Sequence, residues 1–353
     1  PMTGTSRRMV SFRWPHGQAA ERGLVMQQAA LDVVGIGNAI VDIIAHADDA
    51  FLDRQGMQKG GMTLIDEARA EALYAAMGPT VQLSGGSAGN TIAGLASFGA
   101  RAGYIGKVKD DPLGRIFRHD ITSAGVNFPT VAAQDGPATA RSLIFVTPDA
   151  QRTMNTYLGA CANLSSDDID ETLIRSAKIT YLEGYLYDPP QAQEAFHRAA
   201  RIAHAGGGKV ALSLSDRFCV ERYRREFRSL AELHADYLFA NESELTALFE
   251  TDFGSALSQV VQAVEIAAVT RGAAGSVVAT KSSQIGIEAA PVDRVIDTTG
   301  AGDLYAAGFL FGLAHGRSLT ECGRLASLAA AEIISHYGGR PETPLAAYVM
   351  ART

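Results

Sequence analysis

The pattern of apolar and polar residues predicts strands and helices that alternate along most of the chain. Apolar runs of strand length are followed by amphipathic runs of helix length, several times in succession. The predicted strands are 31–36, 40–45, 81–83, 104–108, 179–182, 209–214, 237–240 and 265–270. The predicted helices are 63–77, 91–98, 111–124, 190–205, 220–233 and 242–249. This order is typical of a doubly wound, mostly parallel α/β sheet with helices on both faces.

Two predicted hairpins interrupt that order, because no helix separates their strands. Residues 138–147 and 152–158 alternate around a Thr-Pro-Asp-Ala turn, and residues 275–281 and 284–289 form the second hairpin. The first hairpin predicts a β flap that projects from the main sheet. The second leads to residues 295–313, which we interpret as a strand end, a polar glycine-rich turn and a helix.

Length, charge and cysteine content narrow the class of protein. The chain has 353 residues, 47% hydrophobic and 20% charged, which suffices for one large α/β domain with an appendage. A net charge of −7 argues against a nucleic-acid or anionic-membrane partner. Three scattered cysteines lack metal-ligand spacing, and no apolar run approaches the roughly 20 residues of a membrane helix. We therefore expect a cytoplasmic protein.

Residues 1–28 differ from the rest of the chain. They carry four arginines, show no hydrophobic period and lack the apolar core of a signal peptide, and three methionines offer alternative starts. We expect a disordered or artificially added extension, followed by one domain over residues 29–353.

The turn before residue 303 is a predicted anion site. Without a Cβ on Gly300 or Gly302, the backbone can turn sharply and bring several N–H groups to a ligand, and the following helix adds the positive end of its dipole. Asp303 comes next, where a carboxylate would repel the anion unless it served the reaction. We interpret Asp303 as the base that accepts a proton from a hydroxyl attacking a bound phosphorus atom. A helix cap is the alternative role.

Two other phosphate-binding motifs are missing from the sequence. Gly35-x-Gly37 begins like a dinucleotide fingerprint, but Ile40 stands where the third glycine belongs. No Gly-x-x-x-x-Gly-Lys-Ser/Thr occurs, so the chain is not a P-loop enzyme. The loop at 300–302 is left as the candidate site for the reacting phosphate.

Polar groups that follow the first strands are candidates for binding an acceptor. Gly85 and Gly86 with Asn90 form a second junction of strand, glycine-rich loop and helix, which we interpret as a substrate platform rather than a plain tight turn. Asn38 and Asp42 leave a buried strand end. Asp42 is a candidate for bidentate hydrogen bonds to vicinal hydroxyls, and capping of a turn is the alternative.

Groups after the later strands are candidates for binding a nucleotide. Asn241 and Glu244 form a helix capping box, organise water around a magnesium ion bridging the phosphates, or do both. Arg152 on the flap is a solvated charge unless the flap closes, when it could reach a transferring phosphoryl group. The loop after residue 269 is either a turn between strands or a nucleotide contact, through Thr270, Arg271, Gly272 and Gly275.

Two of these motifs resemble the signatures of a known family. The stretch 297–303, Asp-Thr-Thr-Gly-Ala-Gly-Asp, resembles the C-terminal signature of the ribokinase-like (PfkB) carbohydrate and nucleoside kinases, and 85–90, Gly-Gly-Ser-Ala-Gly-Asn, resembles their N-terminal one. The resemblance covers residues 31 to about 344. It implies ATP as donor, Asp303 as base, Gly300, Ala301 and Gly302 as anion hole, and Asn241 and Glu244 near magnesium. It also implies a β lid from about 43–64 and 133–158, whose closure would exclude water.

Within the family, the adenosine kinase branch is the most similar, through Gly37-Asn38-x-x-x-Asp42, residues 51–53 (Phe-Leu-Asp) and residues 319–322 (Leu-Thr-Glu-Cys). By the same resemblance Asp42 and Asn90 bind ribose hydroxyls and Arg152 is a mobile arginine. Asp297 and Thr299, with the turn at 336–339, are candidate positions for a potassium ion.

The predicted function is ATP-dependent phosphoryl transfer to a primary hydroxyl, with the 5′-hydroxyl of adenosine as the first candidate. A sugar kinase of the fructose, ribose or 2-keto-3-deoxygluconate type is the alternative. A catalytically silent nucleoside-binding protein is a third interpretation. The flap edge allows either a monomer or a homodimer formed through the lid.

Overall fold

The computed structural model describes residues 30–149 and 151–352. The extension expected over residues 1–28 lies outside them. In chain order the strands of the described residues are β1 (Leu31–Ile36), β2 (Ile40–His46), β3 (Met62–Leu64), β4 (Val81–Gly85), β5 (Ala102–Ile105), β6 (Ala140–Val146), β7 (Arg152–Tyr157), β8 (Ala177–Glu183), β9 (Lys209–Ser213), β10 (Tyr237–Asn241), β11 (Ile266–Thr270), β12 (Ser276–Ala279) and β13 (Gln284–Ile287).

The helices of the same residues are α1 (Asp49–Arg54), α2 (Glu67–Ala76), α3 (Ser87–Ser97), α4 (Pro112–Ser123), α5 (Glu171–Arg175), α6 (Pro190–Ala205), α7 (Arg217–Arg222), α8 (Arg224–His234), α9 (Glu242–Phe249), α10 (Phe253–Ala263), α11 (Ala301–Ala314), α12 (Leu319–Ile333) and α13 (Leu345–Met350).

The larger of two sheets has eight strands in the order β13-β12-β11-β10-β9-β8-β1-β5. The six strands from β11 to β5 pair in parallel, and β12 and β13 add an antiparallel hairpin at one edge. Near-continuous apolar runs form these inner strands because both of their faces are covered.

Two apolar cores lie on opposite faces of this sheet. Val33 belongs to one core and its neighbour Val34 to the other, since successive side chains of a strand point to opposite faces. Helices α3, α11 and α12 cover the first face, and α6, α8 and α10 cover the second. Each buried Leu or Phe of these helices contributes roughly 1.5–3 kcal/mol by leaving water. The predicted doubly wound architecture is confirmed.

A smaller sheet of five strands, in the order β3-β7-β6-β2-β4, stands apart from the large one. One of its faces packs into the apolar core through Val41, Ile43, Leu143 and Phe145. The opposite face lines an open cleft. Four of its strands come from the segments predicted as a lid, and the fifth, β4, comes from outside them. The movement of this sheet as a lid stays a prediction.

Two predicted helices differ clearly from the structure. The helix predicted over 63–77 begins at Glu67, because Asp66 caps it by accepting the Arg69 N–H at 2.7 Å. The residues before it form β3, which pairs with β7. The helix predicted over 220–233 is two helices, separated at Tyr223, whose φ of −122° and ψ of 33° are not helical.

The strand end predicted at Val295 and Ile296 is wrong. No strand includes these residues in the described part of the chain. The Ile296 N–H instead donates to the Ile334 carbonyl at 2.8 Å, after the end of α12. This contact brings the turn at 335–340 beside the glycine-rich loop that precedes α11. Helix α10 was not predicted.

Candidate active site

A cleft of about 750 Å³ lies between the small sheet and the carboxyl ends of the large sheet's strands. Ligands of open α/β sheets bind at such ends. The cleft brings together twelve of the predicted site residues, which are Asn38, Asp42, Gly86, Asn90, Asn241, Glu244, Thr270, Thr299, Gly300, Ala301, Gly302 and Asp303. Six others do not line it, and these are Gly85, Arg152, Arg271, Gly272, Gly275 and Asp297.

The glycine-rich loop ends as the N-terminus of α11, which borders the cleft. Gly300 caps the helix with a φ of 77°, a conformation that favours glycine. Nowhere in the described residues does a side chain cap this 14-residue helix. A Cβ on Gly302 would meet no atom within 4 Å, so the space in front of the loop is open. The Ala301 N–H donates to the Thr298 carbonyl at 3.2 Å. The neighbouring amide groups and the helix dipole make this an anion cradle into which a phosphate group fits.

Asp303, in the first turn of α11, has both carboxylate oxygens hydrogen-bonded. Ser87 Oγ donates to Oδ1 at 2.6 Å, and Asn90 Nδ2 donates to Oδ2 at 3.1 Å. Burial among protein atoms raises the pKa of Asp303 to about 6, and the two hydrogen bonds oppose that rise. Asp303 is therefore largely ionised at neutral pH and held in one orientation. Ser87 was not singled out from the sequence, although it lies inside the motif at 85–90.

A buried glutamate organises the opposite wall of the cleft. Glu183, at the end of β8, accepts the Asn38 backbone N–H at 3.1 Å and its side-chain amide at 2.8 Å through Oε1. Its Oε2 accepts the Ala88 N–H at 2.6 Å. Burial raises the pKa of Glu183 to about 7. Glu183 thus ties the segment of Asn38 to the start of α3. Sequence reasoning missed it, and the available signal was an acid that closes an apolar strand.

The glycine pair at 85–86 allows backbone and acid to meet. A Cβ on Gly85 would collide with the Asp42 carboxylate, and one on Gly86, whose φ is 83°, would collide with the Asn38 carbonyl oxygen. Gly85 therefore lies behind Asp42 rather than in the cleft. Burial raises the pKa of Asp42 to about 6, and the charges of Arg152 and Arg340 oppose that rise.

Arg340 is a partly buried cation that the sequence did not reveal. Its Nε donates to the Ser84 carbonyl at 3.1 Å, Nη1 to the Gly89 carbonyl at 2.7 Å, and Nη2 to Ser84 Oγ at 3.1 Å. Burial lowers the pKa of Arg340 to about 10. Its charge lowers the pKa of both Asp42 and Asp303. It follows the turn at 336–339 and lies 250 positions from Asn90, so no local pattern connects it with the cleft.

Asn241 and Glu244 form the capping box of α9. Asn241 Oδ1 accepts the Glu244 N–H at 2.8 Å, while the Glu244 carboxylate accepts the Asn241 N–H at 2.9 Å and its side-chain amide at 2.6 Å. Burial, with a smaller effect of Asp216, raises the pKa of Glu244 to about 7. Each carboxylate oxygen still has a lone pair for a water molecule, so the pair fits a water-mediated magnesium site.

The loop after β11 turns away from the cleft beyond Thr270. Arg271 pairs with Glu242 at 2.8 Å and lies 4.7 Å from the centre of the Phe253 ring. The two glycines of the turn, 272 and 275, have φ values of 57° and 81°. These residues form the turn between β11 and β12, and their contact with a nucleotide stays a prediction.

Arg152 and Asp297 form a buried ion pair. Arg152 Nη1 donates to Asp297 Oδ2 at 2.6 Å, and both side chains are less than a tenth exposed. The arginine, predicted to be solvated unless the flap closes, thus joins the small sheet to the residue that precedes the glycine-rich loop.

Two further structural observations limit the classes of site. Within residues 30–149 and 151–352, no set of three or more His, Cys, Asp or Glu side chains is placed to hold a metal ion. The helices of the same ranges are too short or too polar to span a membrane.

Comparisons with known proteins agree with the fold and the motifs. The sequence model of the pfkB family carbohydrate kinases matches residues 64–345. The structure of adenosine kinase from Sinorhizobium meliloti is 53% identical, covers 92% of this chain and 99% of its own, and superposes with a TM-score of 0.86. A probable sugar kinase protein from Rhizobium etli CFN 42 is 48% identical, with coverages of 91% and 98% and a TM-score of 0.86. The ATP-dependent ribose-1-phosphate kinase of Halopiger xanaduensis is 34% identical over 65% of this chain and 73% of its own length.

Proposed function

Because this chain belongs to the pfkB family of carbohydrate kinases, we propose that it transfers the γ-phosphoryl group of ATP to the 5′-hydroxyl of adenosine. The predicted family and the predicted activity in its coarser form, an ATP-dependent nucleoside or sugar kinase, are confirmed. Nothing in the comparisons supports a catalytically silent protein.

The observation that carries the proposal is the position of Asp303 beside the anion cradle. Asp303 accepts the proton of the acceptor hydroxyl, and the hydroxyl oxygen forms a bond to the γ-phosphorus. The bond from that phosphorus to the β–γ bridging oxygen breaks, and ADP leaves with the electron pair. The amide groups of Gly300, Ala301 and Gly302 stabilise the charge on the transferring group.

Three polar side chains support the binding of a ribose. Asn38 and Asp42 project from the start of the small sheet, and Asn90 from the first turn of α3. Asn90 Oδ1 is buried and has no hydrogen-bond partner among the described residues, so an acceptor hydroxyl can donate to it. We assign these residues to the vicinal hydroxyls of the acceptor.

The small sheet offers an apolar surface that suits a nucleobase. Cross-strand neighbours Ile144, Met154 and Met62 form one row of its cleft face, and Phe218 is 75% exposed on the opposite rim. A nucleobase would bury this apolar surface, whereas a free sugar would leave it exposed to water. This surface favours a nucleoside over a sugar.

Thr270, Asn241, Glu244 and Thr299 are assigned to the ATP side of the cleft. A magnesium ion bridging the ATP phosphates would be held through water by Asn241 and Glu244, and it would neutralise charge on those phosphates. Arg271 and the two glycines of its turn are proposed to contact the outer part of ATP.

We propose that residues 43–64 and 133–158 of the small sheet form a lid that closes over the cleft. This lid is part of the single domain. We place the enzyme in the cytoplasm, where ATP is available. The protein is a monomer or a homodimer formed through the lid edge. Sedimentation of the wild type and of lid-edge variants distinguishes the two.

A sugar kinase is the second candidate, because one neighbour of high identity is a probable sugar kinase protein. An ADP-release assay compares adenosine, guanosine and cytidine with fructose, ribose and 2-keto-3-deoxygluconate. The expected result is the highest kcat/KM for adenosine. Asp303→Asn should lose this activity, and this variant is therefore the control for contaminating kinases. A higher kcat/KM for any of the sugars than for every nucleoside would contradict the nucleoside assignment.

A further inference from the structure

The carboxylate of Asp297 is hydrogen-bonded by three N–H groups. Its Oδ2 accepts from Arg152 Nη1 at 2.6 Å and from the Gly338 N–H at 3.1 Å, and its Oδ1 accepts the Thr299 N–H at 3.0 Å. Asp297 is 8% exposed. A buried carboxylate is stable only when paired and hydrogen-bonded, and here a guanidinium and two amide groups meet that requirement.

This arrangement does not fit a potassium ion at the candidate position. A potassium ion needs oxygen lone pairs around it, but the groups that face Asp297 are N–H donors. The turn at 336–339 turns an amide hydrogen toward Asp297 through Gly338, and Thr299 does the same. A second cation beside the Arg152 guanidinium would also be repelled by it. A potassium ion could bind Asp297 Oδ2 only by displacing Arg152.

We propose that the Arg152 guanidinium is the resident counter-ion of Asp297 and takes the place expected for a potassium ion beside the anion cradle. An unpaired carboxylate there would oppose the binding of an anion at Gly300, three positions along the chain. Arg152 removes that opposition.

Neighbouring charges are consistent with this assignment. Arg340 is engaged by Ser84 and Gly89 rather than by Asp297. The charge of Arg152 opposes the rise in the pKa of Asp42, but the guanidinium donates its hydrogen bond to Asp297. Arg152 begins β7, so the counter-ion is supplied by the small sheet and links that sheet to the glycine-rich loop.

Thermal unfolding without nucleotide or acceptor tests the proposal independently of any activity. KCl is titrated against choline chloride at constant ionic strength. The wild-type Tm is expected to be the same in both salts. Arg152→Met should lower the Tm, and KCl should restore part of it in a saturable way that choline chloride does not reproduce. Adding Asp297→Asn should abolish the response to KCl.

A matched control is available in the same sheet. Arg141 of β6 is also buried and pairs with Glu71. Arg141→Met should lower the Tm without creating a response to KCl. A saturable, potassium-specific rise in the wild-type Tm that Asp297→Asn removes would overturn the proposal. This measurement tests the proposal even if Arg152→Met does not fold. A folded Arg152→Met that ignores KCl would overturn it as well.

Discussion

Replacing Ser87 with alanine removes one of the two hydrogen bonds that hold Asp303. The Ser87 hydroxyl donates to Oδ1 at 2.6 Å, and this bond lowers the pKa of Asp303 against the effect of burial, which raises it to about 6. A base works in its ionised form. Ser87→Ala should therefore raise the pKa of Asp303 and move the acidic limb of the pH profile of kcat/KM upward.

The size of the change follows from the bond. A hydrogen bond to a charged group contributes about 1.5–3 kcal/mol, and one pKa unit corresponds to about 1.4 kcal/mol. Asp303 borders the open cleft, so water replaces part of the lost bond and the lower end applies. A rise of about one unit predicts a loss of kcat/KM of about fivefold at pH 6 and less than about twofold at pH 8.

ADP release measured from pH 5 to 9 at limiting acceptor checks this prediction. Ser142→Ala is the control, because the Ser142 hydroxyl also lines the cleft but bonds to Thr156 Oγ1 at 3.0 Å and to no acid. The acidic limb of the Ser142→Ala pH profile should stay at the pH of the wild-type limb. A Ser87→Ala limb that is unmoved, or lies at lower pH than the wild-type limb, would refute the assignment of Asp303 as the titrating base.

Three further predictions concern the cleft. Gly300→Ala forces a Cβ within 3.0 Å of the Gly339 Cα at a φ of 77°, so denaturant unfolding should show a loss of at least about 1 kcal/mol together with reduced activity. Arg340→Met removes the guanidinium hydrogen bonds to Ser84 and Gly89 and the cation whose charge acts on Asp303, so it should cost about 1.5–3 kcal/mol by the same measurement. Burial raises the pKa of Glu183 to about 7 and of Asp42 and Asp303 to about 6, and the folded state therefore binds more protons than the unfolded state from about pH 4 to 7. The unfolding free energy should fall as pH rises through that window, and a rise in calorimetric Tm over it would contradict these shifts.

The period of apolar residues was sufficient to predict the fold class but not each element. Long apolar strands and amphipathic helices are local patterns, so they were found. Strand β3 has three exposed residues, Met62–Leu64, and exists because β7 pairs with it. The predicted strand at Val295 and Ile296 failed because no neighbouring strand takes up its hydrogen bonds; Ile296 donates to a helix end instead.

The candidate site could be predicted where its chemistry is contiguous in sequence. Gly300 to Asp303 form one motif, and the structure places them together on one helix end. Glu183 and Arg340 were missed because they come from segments distant in sequence and contact mainly backbone groups. The pairing of Arg152 with Asp297 joins positions 145 apart. No pattern within a single sequence window encodes such a contact.

The central claim, that Asp303 is the base of an adenosine kinase, is tested most directly by the turnover of adenosine in Asp303→Asn. The substitution keeps the size of the side chain and its bond from Ser87, so calorimetric binding of ATP and adenosine should stay within a few-fold of wild type. ADP release with saturating adenosine should fall by about 10²–10⁴-fold. Turnover within tenfold of wild type, with binding intact, would contradict the account.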